Sequence, residues 1–326
     1  MTTTTIPVAA SLLVAGMTFA AQEGTATVST AETGSAAASA PIEPERSTAS
    51  FSVAGGYLYQ FSTDFDDGPG SVSVNRAYGT FSSRFEIAPS LNLGLRFGWE
   101  GGWYDFDGNT PLSLGTGASP WNTVQGVQLG ANLGWKINEE WSTFVGIFGA
   151  AAGETDADAS DTLSIGGSVG AMWRANEDFS IGGGVLVSSQ IEDDALVIPL
   201  LLIDWRINDA LKLTNIAGPE AYPTGAGIEL VCTAVPQWEF GIGGRYESRR
   251  FRLDDRGPAP EGVGEDSSFA TWLRVGVRPL NGLRVDVLGG LMVWEEYELD
   301  DRNGNDLASS DLDPSPFVGV FLGYRF

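Results

Sequence analysis

The sequence predicts an all-β protein: a single transmembrane antiparallel up-and-down β-barrel of about fourteen strands, with twelve as the alternative, behind an N-terminal signal and a disordered leader. Three observations carry that prediction. From residue 51 onward, apolar residues alternate with polar residues or glycine, so each candidate strand has one greasy face and one wet face. The connections between strands alternate short and long. Aromatic residues gather beside the short ones. A soluble sandwich explains the first observation as well as a barrel does, but it has no reason to show the second.

Composition bounds the partners. The chain has 326 residues, 43 of them glycine, with 11% aromatic and only 18% charged residues, which suits one large β domain and is poor in helix-forming material. A net charge of −24 excludes nucleic acid, whose polyphosphate needs a positive surface. The single cysteine, Cys232, has no partner for a disulfide and sits in an alternating stretch, as a small hydrophobe would.

In chain order, residues 1–20 read as an export signal. Residues 6–19 form an apolar core and Thr18-Phe19-Ala20 a small-x-small site, although no Lys or Arg precedes Arg46. Residues 21–50, rich in Ala, Ser, Thr, Glu and Pro, read as a disordered periplasmic leader that lacks the apolar surface needed to offset ordering entropy. Residues 51–326 form the barrel. The longest apolar run, 197–203, contains Pro199 and falls far short of the roughly 20 residues that a spanning helix needs.

The expected strands are 51–61, 74–87, 91–103, 124–137, 141–151, 163–174, 179–189, 196–207, 211–217, 226–235, 238–253, 269–278, 283–299 and 317–326. Short connections lie at 88–90, 138–140, 175–178, 208–210, 236–237 and 279–282. Longer ones, rich in Asp, Gly and Pro, lie at 62–73, 104–123, 152–162, 190–195, 218–225, 254–268 and 300–316. Tight turns on one side and long loops on the other are what a membrane barrel presents. Leu91, Leu93, Leu95, Phe97 and Trp99 oppose Asn92, Gly94, Arg96, Gly98 and Glu100, and the other strands repeat the scheme. Trp135, Trp141, Phe179, Trp205 and Trp238 flank short turns, as a headgroup girdle would.

The wet rows carry charges of both signs. Arg84, Arg96, Glu100, Arg206, Glu239, Arg245, Glu247, Arg249, Arg274, Arg284 and Asp286 are the candidate lumen-lining residues, joined by Glu86, Asp204 and Arg278. Charges facing inward must be paired or hydrated. They serve either as the lining of a pore or as ion pairs that fix register, and the pattern leaves both open.

The last twelve residues, SPFVGVFLGYRF, set Val318, Val320, Leu322, Tyr324 and Phe326 on one face. This strand resembles the closing strand of bacterial outer-membrane β-barrels. The resemblance implies that Leu322, Tyr324 and Phe326 act as the signal read by the barrel-assembly machinery. Asp204-Trp205, Leu213-Thr214-Asn215, Gly218-Pro219, Gly241 to Gly244 with Tyr246-Glu247, Arg252-Leu253-Asp254 and Gly262 to Asp266 resemble a family of uncharacterised outer-membrane barrel domains over roughly residues 196–326. That resemblance implies a barrel in the bacterial outer membrane, with lipid as its partner, and brings no activity or site residue.

Motifs for chemistry are sparse. Without histidine, Ser-His and Asp-His catalysis and imidazole metal sites are excluded, and no cofactor motif occurs, so no enzyme is expected. Asp301, Asn303, Asn305 and Asp306 offer oxygens to calcium, weakly, since Gly304 is misplaced for an EF-hand, and Asp156, Asp158 and Asp161 form a second acidic loop. Acidic loops would keep the outer rim solvated and bridge loosely to divalent cations. The oligomeric state is left open. About fourteen strands enclose more space than side chains fill, so passive passage of small solutes is the expected function. The alternative is a non-conducting structural or surface-interaction barrel. Trp272, Met292 and Trp294 are the inward-facing large apolar candidates, too few to favour hydrophobic uptake.

Overall fold

The computed structural model describes residues 49–215 and 226–326. The expected signal and all of the leader before Ala49 fall outside the described residues, as do the end of the strand expected at 211–217 and the loop at 218–225. Fifteen strand segments follow in order: β1 (Ala49–Asp64), β2 (Ser71–Ala88), β3 (Leu91–Asp107), β4 (Thr123–Lys136), β5 (Trp141–Glu154), β6 (Leu163–Arg174), β7 (Phe179–Gln190), β8 (Asp193–Arg206), β9 (Leu211–Thr214), β10 (Ala226–Cys232), β11 (Trp238–Arg252), β12 (Val263–Leu280), β13 (Leu283–Asp300), β14 (Asp306–Asp311) and β15 (Ser315–Arg325). The last two are parts of one fourteenth strand, because β13 pairs with β15 up to Met292 and with β14 from Glu296.

Every strand runs antiparallel to its neighbours in sequence, and β1 pairs with β15 from Ser52↔Arg325 to Gln60↔Phe317, which closes the sheet. Closure removes the free edges that lipid cannot hydrate. Three of the short turns use one device. Asn138, Asn176 and Asn208 each accept at Oδ1 from the backbone N–H groups two and three residues on, at 2.7–3.0 Å. An Asx turn of this kind fixes the reversal locally and lets the next strand start at once, at Trp141, Phe179 and Leu211.

The outer face is apolar through the middle of the barrel. Ile165 is 70% exposed and Leu273 66%, and Leu129, Ile147, Leu201, Val287 and Val320 share that surface. Such a band is stable against lipid and not against water. Trp135, Trp141, Trp205 and Trp238 lie exposed beside the short turns, with Trp141 and Trp173 ring centroids 6.5 Å apart and Phe179 and Trp205 5.9 Å apart. The closed antiparallel barrel, lipid-facing band and turn-side girdle are the architecture of a bacterial outer-membrane protein.

Three expectations are corrected. The connection expected at 190–195 is a two-residue turn, Ile191 and Glu192, because β7 and β8 continue pairing to Gln190↔Asp193. The loops expected at 254–268 and 300–316 contain the start of β12 and all of β14. There the outward positions are Glu265, Ser267, Glu296 and Glu298, so the period-2 apolar signal vanishes while pairing persists. Strands β11 to β13 therefore project past the apolar band by about six residues, roughly 20 Å. Finally, Trp294 does not face inward. A bulge at Val293 pairs Phe269 with Trp294 and Ala270 with Met292, which keeps Met292 inside and turns Trp294 outward against Tyr246, 6.0 Å between centroids.

Candidate functional site

Along β11 to β13, the inward rows stack four layers that alternate in chemistry. Nearest the short turns is a charged layer centred on Arg274, whose side chain is fully buried. It reaches Glu229 and Asp286 at 2.7 Å and Glu239 at 3.3 Å, Arg284 joins Asp286 and Glu239 at 2.7 and 3.0 Å, and Arg278 caps Glu239 at 2.6 Å. Trp272 Nε1 donates to Glu229 at 2.9 Å. The glycines opposite Arg274 make the space: a Cβ on Gly241 would lie 2.4 Å from Glu229 Oε1, and one on Gly276 2.5 Å from Asp286 Oδ1. The layer is a desolvated but fully compensated network, costly to interrupt at one member.

Above it lies an apolar layer of Leu58, Tyr78, Ala270, Leu288, Met292, Phe317 and Phe321, with Trp272 against it. Next comes a second charged layer. Arg76 pairs with Asp266, to which Tyr104 also donates at 2.7 Å. Arg249 joins Glu100 and Glu247 at 2.5 Å each, and Arg245 shares Glu247. Gln60 accepts from Arg76 and donates to Glu295 at 2.6 Å and Ser315 at 3.0 Å. The outermost layer is a buried aromatic core: Phe65, Val72, Val74, Tyr104, Leu112, Trp121, Val124, Phe251, Leu253, Ala259, Tyr297, Leu299 and Leu312. Trp121 is its centre, 5.3–5.9 Å from the rings of Phe251, Phe106, Tyr297 and Tyr104. It comes from the β3–β4 loop and plugs the projecting end of the barrel.

The opposite wall is different. Phe148, Leu186, Leu196 and Ile198 form an apolar cluster on the inward faces of β5, β7 and β8, with Leu200 beside it. Phe148 and Phe144 lie over Gly166 and Gly170, where a Cβ would meet their rings. The expectation of polar and charged inward rows, with Trp272, Met292 and Trp294 as their large apolar residues, is thus corrected: Phe148, Leu186, Leu196 and Ile198 line this wall, and two layers of the other are apolar.

Of the candidate lining residues, register sets Glu100, Glu239, Arg245, Glu247, Arg249, Arg274, Arg284 and Asp286 on the inward rows of β3 and β11 to β13, gathered into the two charged layers. Arg84 and Arg96 occupy inward register positions on β2 and β3, away from those pairs. Arg206 lies at the turn-side rim, exposed and 3.4 Å from Asp178. Arg76 and Glu229 were overlooked although both share the phase of residues singled out on their strands or facing ones. Asp266 and Glu295 were hidden, one in an expected loop and one beyond the bulge. Of the calcium candidates, Asp301 and Asn305 lie within hydrogen-bond distance of each other. Asp301 accepts from the Asn305 side chain and backbone and from Asn303 N, which hold its carboxyl below the usual range, and those hydrogen bonds occupy its oxygens. Among the described residues, no three acidic or cysteine side chains come together as a metal-holding group.

Several solved structures resemble this chain at low similarity. An outer membrane channel from Pseudomonas putida F1 is 12% identical, with a TM-score of 0.46 over 89% of this chain and 100% of that one. A Pseudomonas aeruginosa FadL homologue is 12% identical, with a TM-score of 0.46 over 85% and 90%. KdgM porin is 10% identical, with a TM-score of 0.34 over 84% and 99%. No curated protein matches the sequence. The family model described as a domain of unknown function, DUF6268, matches residues 121–325, from Trp121 to the closing strand, and the chain belongs to that family.

Proposed function

We propose that this protein is an outer-membrane channel for the passive passage of small solutes, closed at its outer end in the conformation described. The observation that carries the proposal is where the closure sits. The aromatic core around Trp121 is built from strand ends and loops beyond the lipid-facing band, so the membrane barrel does not depend on it for its own closure. Beneath it the lumen offers a charged wall on β11 to β13 and an apolar wall on β5 to β8. That pairing favours solutes with both a polar and an apolar portion.

Liposome swelling tests this. Vesicles carrying the purified barrel should admit small amphipathic solutes faster when Trp121 is replaced by Ala, and vesicles unaffected by that change would contradict the channel. A second reading, a non-conducting barrel, is favoured by the pairing of Arg274 with three carboxylates and of Arg249 with Glu100 and Glu247, which leaves little free charge to attract ions. Conductance steps in the Trp121→Ala barrel exclude it.

For assembly, the outward row Leu322, Tyr324 and Phe326 supports the reading of the terminal strand as an assembly signal. Phe326 is 70% exposed, its ring 4.8 Å from that of Tyr324 between centroids. So little packing gives it a small part in stability.

A further inference from the structure

Arg252, the last residue of β11, is almost wholly buried although it lies at the outermost end of its strand. Its guanidinium is shared among four separate connections. Nη2 meets Glu192 Oε1 of the β7–β8 turn at 2.6 Å, and Nη1 donates to the carbonyls of Glu261 in the β11–β12 loop at 2.9 Å and Arg302 in the β13–β14 loop at 3.3 Å. Nε donates to the carbonyl of Asp161 in the β5–β6 loop at 3.3 Å. We propose that Arg252 is the latch of the outer gate: one side chain that holds four loops together on the outward face of β11, behind the aromatic core, so that its release frees them as a unit. The proposal rests on the channel reading above.

Three further features converge on this point. Strand β11 pairs with β10 as far as Tyr246, and at Arg252 it pairs in parallel with Gly153 at the end of β5, drawing the outer part of the barrel together. Gly304 of the β13–β14 loop lies so close to the β7–β8 turn that a Cβ there would meet the Glu192 carbonyl oxygen. Arg250, two residues back on the same face of β11, donates to the Ile191 carbonyl at 2.8 Å and pairs with Asp300 at 2.6 Å. The β7–β8 turn is therefore held against β11 by two arginines, and the next residue inward, Phe251, belongs to the aromatic core. Arginine is suited to the role. Its planar fork of five donors satisfies several acceptors at once, where a lysine would satisfy fewer and with no fixed geometry. Because most of its acceptors are backbone carbonyls, the latch asks little of the loop side chains. It depends on the guanidinium itself.

The test uses the full-length protein in detergent, with heat modifiability to confirm the barrel. In Arg252→Ala, hydrogen exchange should rise together in segments 155–162, 190–193, 254–262 and 301–305, by about tenfold or more, the scale of losing a buried charge-assisted hydrogen bond. Conductance events in planar bilayers should become more frequent by a similar factor. Glu192→Gln, at a half-exposed side chain, should move the same four segments less, and it carries the test if Arg252→Ala does not fold. An exchange increase confined to 190–193, or none, overturns the latch whatever the conductance. A joint increase in exchange with no conductance in Arg252→Ala, while Trp121→Ala conducts, overturns the gate role and leaves the channel standing. Silence in both variants overturns the channel reading and the latch with it.

Discussion

The wall made by β11 to β13 and the wall made by β5 to β8 enclose one lumen with opposite means of cohesion. On the first, arginines meet carboxylates in two layers that sandwich apolar side chains, with partners on the same strand, as Arg245 and Glu247, on the next, as Arg274 and Asp286, and across the barrel, as Arg249 and Glu100. On the second, Phe144 and Phe148 rest on glycines and Leu186, Leu196 and Ile198 complete an apolar surface without a charge among them. Ion pairs inside a barrel specify register, since a one-residue slip would turn every arginine to lipid. Apolar contacts specify less and adapt more. One wall is thus held in a fixed register, and the other is free to repack.

The comparison is broken most severely at Arg274. Its replacement by Ala leaves Glu229, Asp286 and Glu239 facing one another, with Arg284 and Arg278 as the remaining cations, and should cost about 3–5 kcal/mol, read as a lower midpoint for loss of the folded band in urea. Trp121→Ala removes the centre of the aromatic core and should cost a similar amount, about 3–5 kcal/mol, confined to the outer end. Hydrogen exchange should then rise in residues 104–123 and 251–263 and stay unchanged in β6 and β7. Leu196→Ala on the adaptable wall should cost nearer 2 kcal/mol, because that wall can close around the gap. Arg206→Gln should change stability by less than about 0.5 kcal/mol, since both partners of its ion pair are more than half exposed. Removal of Phe326 should have the least effect on purified protein while lowering the amount assembled in cells, measured as folded barrel per total chain.

How far these walls could be read from sequence differs between them. Period-2 alternation sets which face of a strand is wet, so the inward positions of Glu239, Arg245, Arg274 and Asp286 follow once a strand is recognised. What alternation cannot report is which wet positions meet across strands, because that depends on barrel stagger. Arg274 finds Glu229 two strands away, and Arg249 finds Glu100 on the far side of the sheet order. The outer end was the least legible. Beyond the lipid band, outward residues such as Glu265 and Glu298 are polar, so the alternation that marks a membrane strand is lost although pairing continues. Trp121 gave no periodic signal, since it lies outside any strand, and Trp294 was misread because a single bulged residue inverts the phase after it. Phe317 and Phe321 face inward from the closing strand, opposite the row of Val318 and Val320, and it is the layer they join that gives them a role.

Whether the outer end is sealed as described is open to direct chemical measurement at Ser315, which lies in the second charged layer beneath the aromatic core and is almost fully buried. In a Cys232→Ala background, Ser315→Cys on intact cells should react slowly with a membrane-impermeant thiol reagent added outside, and at least about tenfold faster once Trp121→Ala is added. Equal, rapid labelling with and without Trp121 would show that the aromatic core does not close the lumen, and would contradict the account.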